Sequence, residues 1–226
     1  MARDGLMLFD TLAPVAQRAR LEVAPGAVWL RHWLTLPEQQ ALVARCLEIL
    51  DGPAGGYVPT VRGGGKMHVR MSCLGRHWNA MTYQYGSTRA DYDHAEVPPV
   101  PDEWAQLAAR AAVEAGFEFV PDLCIVNAYG ADGRMGLHQD KDESPPSIAA
   151  GMPIVSVSLG DSARFQFGGF RRRDRVDTLV LESGDVFVFG GASRLRYHGV
   201  SRILPGTAPA ALGPVGGRFN LTFRKY

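Results

Sequence analysis

Leu123-Cys124-Ile125-Val126-Asn127-Ala128-Tyr129 is the first of a series of short β-type runs that fill the second half of the chain. Runs at 154–159, 163–167, 177–181, 185–189, 195–198 and 218–224 follow, with Gly, Pro, Asp and Asn between them. Many short strands with frequent turns predict an antiparallel barrel or a two-sheet jelly roll. Upstream, the apolar spacing changes to a helical one. Pro37-Glu38 opens a run with Leu42, Val43, Cys46, Leu47 and Leu50 on one side, closed by Asp51-Gly52. Asp102 is expected to cap a second helix that carries Trp104, Leu107, Ala108, Ala111 and Ala112 and ends at Gly116. The stretch 55–77 between them is basic and Gly-rich and reads as a mobile loop or loose hairpin. Helices first and strands later place the helices outside a sheet core. The expected class is therefore α+β, mainly β, with a double-stranded β-helix (jelly-roll) core at 121–226 and N-terminal helices packed on it. No linker divides the 226 residues, of which 46% are apolar, so a single domain over 1–226 is expected.

Composition excludes little by itself. The formal net charge is +1, so a nucleic-acid partner would need a local basic patch. Nearly every cation is Arg; Lys occurs only at 66, 141 and 225. Cys46, Cys73 and Cys124 form no close pair, which argues against a disulfide framework or a Cys-based zinc site and suits a reducing compartment. The first ten residues carry Arg3, Asp4 and Asp10 and lack the apolar centre of a signal peptide. No stretch is long enough to span a membrane, so the expectation is a cytoplasmic protein without a membrane partner. No heptad or large apolar patch is visible, so a monomer is expected.

Leu137-His138-Gln139-Asp140 follows a β run and a Gly-rich turn. In extended chain, residues two apart point the same way, so His138 and Asp140 can grip one ion. His198, at the end of the run 195–198, is the candidate second imidazole. Two His and one carboxylate form the facial triad of non-haem Fe(II) oxygenases, which leaves positions open for co-substrate and O2. His-x-Asp alone is a weak signal; a calcium loop at Asp140, Asp142 and Glu143 is disfavoured because the required Gly is missing. His32, His68, His77 and His94 read as ordinary polar residues.

Arg218-Phe219-Asn220-Leu221-Thr222-Phe223-Arg224 alternates strictly between polar and apolar. If the polar face meets the interior, its two Arg need anions, and a dicarboxylate such as 2-oxoglutarate provides them. The alternative is an exposed polar face on an edge strand. Asn127 and Tyr129 share one face of their strand and are further candidates to touch the co-substrate.

Taken together, these motifs are recognisable. His138-Gln139-Asp140-Lys141-Asp142-Glu143, Pro153-Ile154-Val155-Ser156-Val157-Ser158-Leu159-Gly160, Phe165-Gln166-Phe167-Gly168-Gly169, Ser183-Gly184-Asp185-Val186, Ser193-Arg194, Tyr197-His198-Gly199 and Asn220-Leu221-Thr222-Phe223-Arg224 stand in the order seen in the AlkB family. The chain resembles that family from Leu8-Phe9 to the last strand. The resemblance implies Fe(II) held by His138, Asp140 and His198. It implies 2-oxoglutarate held by Asn127, Tyr129, Arg218, Asn220 and Arg224, with O2 as second substrate. It also implies oxidative demethylation of N-alkylated bases such as 1-methyladenine and 3-methylcytosine, with release of formaldehyde. The substrate would be single-stranded or flipped-out DNA, with RNA a further candidate. Trp78 then stacks on the base, Asp142 lies beside it, Tyr85 meets a phosphate, and Arg194 is a further substrate contact. The stretch 55–85 corresponds to a nucleotide-recognition lid. Arg62, Lys66, His68, Arg70 and Arg76, and equally Arg171-Arg172-Arg173, are candidates for phosphate contact or simply solvated surface. The sequence departs from the family at 144–152, a longer segment expected near the mouth of the site, and at Phe189, where Trp is expected.

Three competing readings remain at this stage. One is the same oxygenase core acting on a protein side chain or lipid. The others are a cupin-like metal binder without oxidation, and a DNA-binding module with a structural metal. The open coordination sphere of a three-ligand site favours catalysis over structure.

Overall fold

Two strands without a clear sequence signal come first among the described residues: β1 (Ala19–Ala24) and β2 (Ala27–Arg31), an antiparallel hairpin that turns at Gly26 with φ +74°. The computed structural model describes residues 17–52 and 55–226. The charged N-terminal stretch and Leu8-Phe9 lie outside the described residues. Helix α1 (Leu36–Asp51) begins at a capping box: Glu38 N–H donates to Thr35 Oγ1, and Thr35 N–H donates to the Glu38 carboxylate at 2.9 Å. Pro37 sits in its first turn, as the sequence suggests.

Of the two readings of 55–77, the hairpin holds and the mobile loop does not. The end of the stretch forms β3 (Arg70–Leu74), which pairs with the main sheet, and Tyr57 and Thr60 bridge back to Met71 and Lys66. Alternation of small and apolar residues in Met71-Ser72-Cys73-Leu74 buries all four, which no solvent loop would do. A short hairpin follows, β4 (His77–Asn79) and β5 (Gln84–Gly86). In helix α2 (Asp102–Glu114) Pro101, not Asp102, occupies the N-cap position, and no side chain caps the helix. Asp102 and Glu103 instead lie in the first turn, where a negative charge meets the positive end of the helix dipole.

The remaining strands are β6 (Leu123–Tyr129), β7 (Met135–His138), β8 (Ile154–Gly160), β9 (Ser162–Phe167), β10 (Asp177–Leu181), β11 (Val186–Phe189), β12 (His198–Leu204) and β13 (Arg218–Arg224). They build a seven-stranded sheet in the order β1-β2-β11-β8-β13-β6-β3 and a four-stranded sheet in the order β10-β9-β12-β7. The expected strand at 195–198 is displaced. A 3-10 turn at Gly191–Ser193 leads into β12, so His198 begins its strand instead of ending one. Helix α3 (Pro145–Ala149), capped by Ser144, occupies the extra segment 144–152.

Strand parity divides the core in two. Val155, Val157, Val186, Val188, Leu221 and Phe223 point to one side of the large sheet, in one cluster with Leu42, Val43 and Cys46 of α1 and Trp104, Ala108 and Ala111 of α2. Ile125, Ile154, Phe187 and Phe189 point to the other side and meet Phe165, Phe167, Val200 and Ile203 of the small sheet. The polar residues of the same strands open into this inter-sheet space. Strands β1, β2 and β3 also belong to the large sheet, so its framework extends beyond the expected core at 121–226. No described helix is long and apolar enough to cross a membrane.

Candidate metal and co-substrate site

Strands β7 and β12 are antiparallel neighbours, and His138 stands opposite His198 in their register. Such a cross-strand pair shares one face, and the ring centroids are 4.4 Å apart. Asp140, two residues beyond His138, places Oδ1 3.5 Å from His138 Nε2 and Oδ2 3.5 Å from His198 Nε2. One ligand atom from each residue lies within 4.8 Å of the other two. His138 Nδ1–H donates to the Gly136 carbonyl at 2.9 Å, and His198 Nδ1–H donates to the Arg196 carbonyl at 3.1 Å. A carbonyl only accepts, so each Nδ1 carries a proton and each Nε2 is the ring atom left to bind an ion. Two neutral imidazoles and a carboxylate suit a first-row ion such as Fe(II) and leave positions open on it.

Arg224 fixes the carboxylate, with Nε 3.2 Å and Nη2 2.7 Å from Asp140 Oδ2. Burial pushes the Asp140 carboxyl up, but Arg224 and the two imidazoles outweigh it and hold the group well below the usual carboxylate range. Burial lowers His198, with His138 adding to the effect. His138 itself is raised, because its contact with Asp140 outweighs burial.

Strand β13 lies between β6 and β8, and all seven of its residues are buried. The exposed-edge alternative is thereby excluded. With Phe219, Leu221 and Phe223 on the helix side, Arg218, Asn220, Thr222 and Arg224 line a cavity of about 490 Å³ between the sheets. His138, Asp140, His198, Asn127 and Tyr129 line it too. Arg218 is 2% exposed. Its Nη2 donates to Ser158 Oγ at 2.8 Å and its Nη1 faces the Leu181 carbonyl at 3.5 Å, while Nε has no partner. Among the described residues no carboxylate reaches ion-pair distance of it. Burial pushes this guanidinium down to about 10. Asn127 Oδ1 is likewise buried without a partner. Asn220 Nδ2 is bonded to Ser156 Oγ at 2.8 Å and to the Val157 carbonyl at 3.0 Å. A buried cation without a counter-ion beside a metal-type triad is the environment a small dicarboxylate fits.

The outer wall comes from the β4–β5 hairpin. Trp78 and Tyr85 face each other across it and both line the cavity. Trp78 Nε1–H donates to Asp142 Oδ2 at 2.9 Å. Burial raises the Asp142 carboxyl above its ordinary value. Two expectations need correction. The Tyr85 hydroxyl points inward, accepting from Arg224 Nη1 at 3.0 Å and donating to Glu143 Oε1 at 3.2 Å, so it is not presented to a phosphate. Arg194 does not line the cavity: it is 3% exposed, pairs with Glu143 Oε2 at 2.8 Å and donates to the Asp140 carbonyl. It supports the ligand loop.

Sequence reasoning missed Glu143 as the buried carboxylate that joins Tyr85, Arg194 and Arg224. Its place in the His138–Glu143 motif was the available signal. It also missed Tyr83, whose ring lies 6.0 Å from Trp78 on the cavity wall. His77 is more than an ordinary polar residue. It is 1% exposed, with Nε2 2.5 Å from Asp91 Oδ1 and 3.2 Å from the Tyr57 hydroxyl. Residues 144–152 do not reach the cavity; Pro146, Ser147, Ala150 and Met152 border a separate surface pocket with Phe119 and Val120. Phe189 lines the cavity and meets His198 edge-on at 4.8 Å.

The profile of the 2OG-Fe(II) oxygenase superfamily matches residues 26–224. The DNA N(6)-methyladenine demethylase ALKBH1C of Arabidopsis thaliana is 43% identical over 224 residues, 90% of this chain and 49% of that protein. The alpha-ketoglutarate-dependent dioxygenase AlkB of Escherichia coli K12 is 43% identical over 207 residues, 90% of this chain and 91% of that one. The solved structure of OsALKBH1 superimposes with a TM-score of 0.86 at 38% identity, covering 92% of this chain and 100% of that chain. The chain thus spans about half the length of the plant demethylase it matches.

Proposed function

The chain belongs to the 2OG-Fe(II) oxygenase superfamily, in its AlkB family, and we propose that it oxidatively removes methyl groups from N-alkylated bases in nucleic acid. His138, Asp140 and His198 would hold Fe(II). Arg218, Asn220, Asn127, Tyr129 and Arg224 would hold 2-oxoglutarate, with Arg218 on a carboxylate. The bound metal, co-substrate and O2 supply the oxidation of the methyl carbon, which leaves as formaldehyde.

The chain's own residues position and select. The observation that carries the nucleic-acid reading is the Trp78–Asp142 pair on the cavity wall. An indole face holds a flipped base by stacking, at low sequence preference. Its N–H fixes Asp142 through one oxygen; the other accepts no hydrogen bond among the described residues. That oxygen suits the cationic ring of 1-methyladenine or 3-methylcytosine, or an exocyclic amine. The Arg224–Asp140 pair keeps the carboxylate ionised and oriented for the metal. Residues 55–85 would act as the lid over the base, with Tyr85 anchoring it to Arg224 and Glu143. A second reading, N6-methyladenine in DNA, is supported by the name of the plant relative.

The test uses protein with Fe(II), 2-oxoglutarate and air, and short single-stranded DNA carrying one 3-methylcytosine, 1-methyladenine or N6-methyladenine. Loss of one methyl with matching formaldehyde, abolished in His138→Ala, is expected, fastest for the cationic bases. Succinate formation with every methyl retained would refute the substrate class but leave the oxygenase core. Neither product, with iron bound, would refute the whole reading. Trp78→Ala should raise KM by about tenfold, from one lost stack, with kcat much less affected.

A further inference from the structure

The loop between β9 and β10 carries an aromatic side chain that neither the core nor the cavity absorbs. Phe170 is 52% exposed. It sits just outside the cavity mouth: Arg172, two residues on, and Tyr197 both line the cavity, and Phe170 does not. The base of the loop is tied to Tyr197 by two backbone bonds, Gly168 N–H to the Tyr197 carbonyl at 2.8 Å and Tyr197 N–H to the Gly169 carbonyl at 2.9 Å. The loop turns tightly, with Arg171 N–H donating to Asp174 Oδ2 at 2.9 Å. The ring is also backed. The Arg196 guanidinium lies 5.2 Å from the Phe170 centroid and 5.6 Å from that of Phe167, and its Nη1 donates to the Gly168 carbonyl at 2.8 Å. Arg171, Arg172 and Arg173 around it are exposed, and among the described residues none forms an ion pair.

We propose that Phe170 is a stacking platform for the nucleobase next to the one held in the cavity. The inference rests on the nucleic-acid reading above and adds a contact to it. Drawing one base into the cavity removes it from its stack and bares the face of its neighbour. A fixed aromatic face among unpaired cations is the chemistry of a single-strand groove: cations follow the phosphates while the ring takes any base. Arg196 already occupies one side of Phe170, so the ring loses little freedom when a base meets the other side.

The platform is tested by fluorescence anisotropy on protein loaded with Mn(II) and 2-oxoglutarate. The probe is a short single-stranded DNA with a central 3-methylcytosine. Two further probes carry an abasic site on one or the other side of that base. Phe170→Ala should bind the intact probe about tenfold more weakly, and Phe170→Trp should bind it as the parent does. On one abasic probe Phe170→Ala and parent should bind equally, because base and ring remove the same contact. Equal binding of the intact probe by parent and Phe170→Ala, or a loss that persists on both abasic probes, would overturn the platform alone. A parent protein that binds no probe overturns the nucleic-acid reading and the platform together.

Discussion

Arg218→Met separates the cost of the buried guanidinium from its use. The side chain is 2% exposed, bonded to Ser158 and unaccompanied by a carboxylate. Burial lowers its proton affinity from the ordinary guanidinium value to about 10, so it stays charged at neutral pH against a penalty of roughly 3 kcal/mol. A carboxylate of 2-oxoglutarate would cancel that penalty and add charge-assisted hydrogen bonds. Removing the guanidinium should therefore weaken 2-oxoglutarate by at least about 100-fold, at 1.4 kcal/mol per tenfold. The same change should leave the ligand-free protein as stable or more so, because replacing an uncompensated buried charge by an apolar chain is neutral to favourable. Titration calorimetry with Mn(II) in place of iron gives the affinity, and urea unfolding without ligand gives the stability. A 2-oxoglutarate affinity within threefold of the parent, or a ligand-free protein destabilised by several kcal/mol, would refute this reasoning. Burial lowers this guanidinium but leaves it charged at neutral pH, so 2-oxoglutarate binding by the parent should show no Arg218-dependent fall between about pH 6 and 8.

Three more outcomes follow from the packing. Glu143→Gln leaves Arg194 buried without its counter-ion and should cost about 3 kcal/mol in urea unfolding; a change below 1 kcal/mol would show that the pair is dispensable. Gly75→Ala should destabilise by at least about 2 kcal/mol, since φ is +77° and the added carbon would lie 2.0 Å from the Asp122 carbonyl; wild-type stability in thermal unfolding would contradict the backbone geometry. Cys46, Cys73 and Cys124 are buried, and burial raises all three thiols, Cys73 to about 11. At pH 8 they should resist a disulfide reagent in the folded protein and react fully in guanidinium, so rapid labelling of the native state would refute their inaccessibility.

Much of the site was legible because local spacing carries it. The period-two alternation of Arg218–Arg224 put four polar groups on one face, and the His138–Asp140 interval put two candidate ligands on another. The α1 boundaries followed from Pro37-Glu38 and Asp51-Gly52, which act within one helical turn, while the Thr35 cap emerged only in the structure. Pairing was not legible. That β13 is an interior strand, which turns its polar face into a cavity wall, depends on β6 and β8 closing on both sides of it. The strand character of 70–74 came from an edge of the large sheet accepting it, and the inward turn of Tyr85 and Arg194 came from Glu143, whose place in the His138–Glu143 motif marks it but does not say which residues it meets. The sequence by itself determined which side chains share a face, because backbone geometry sets that within a few residues. Only the tertiary structure decided which face is buried and which charges meet, because those depend on partners 50 to more than 100 residues away, such as Arg194 with Glu143 and Tyr85 with Arg224.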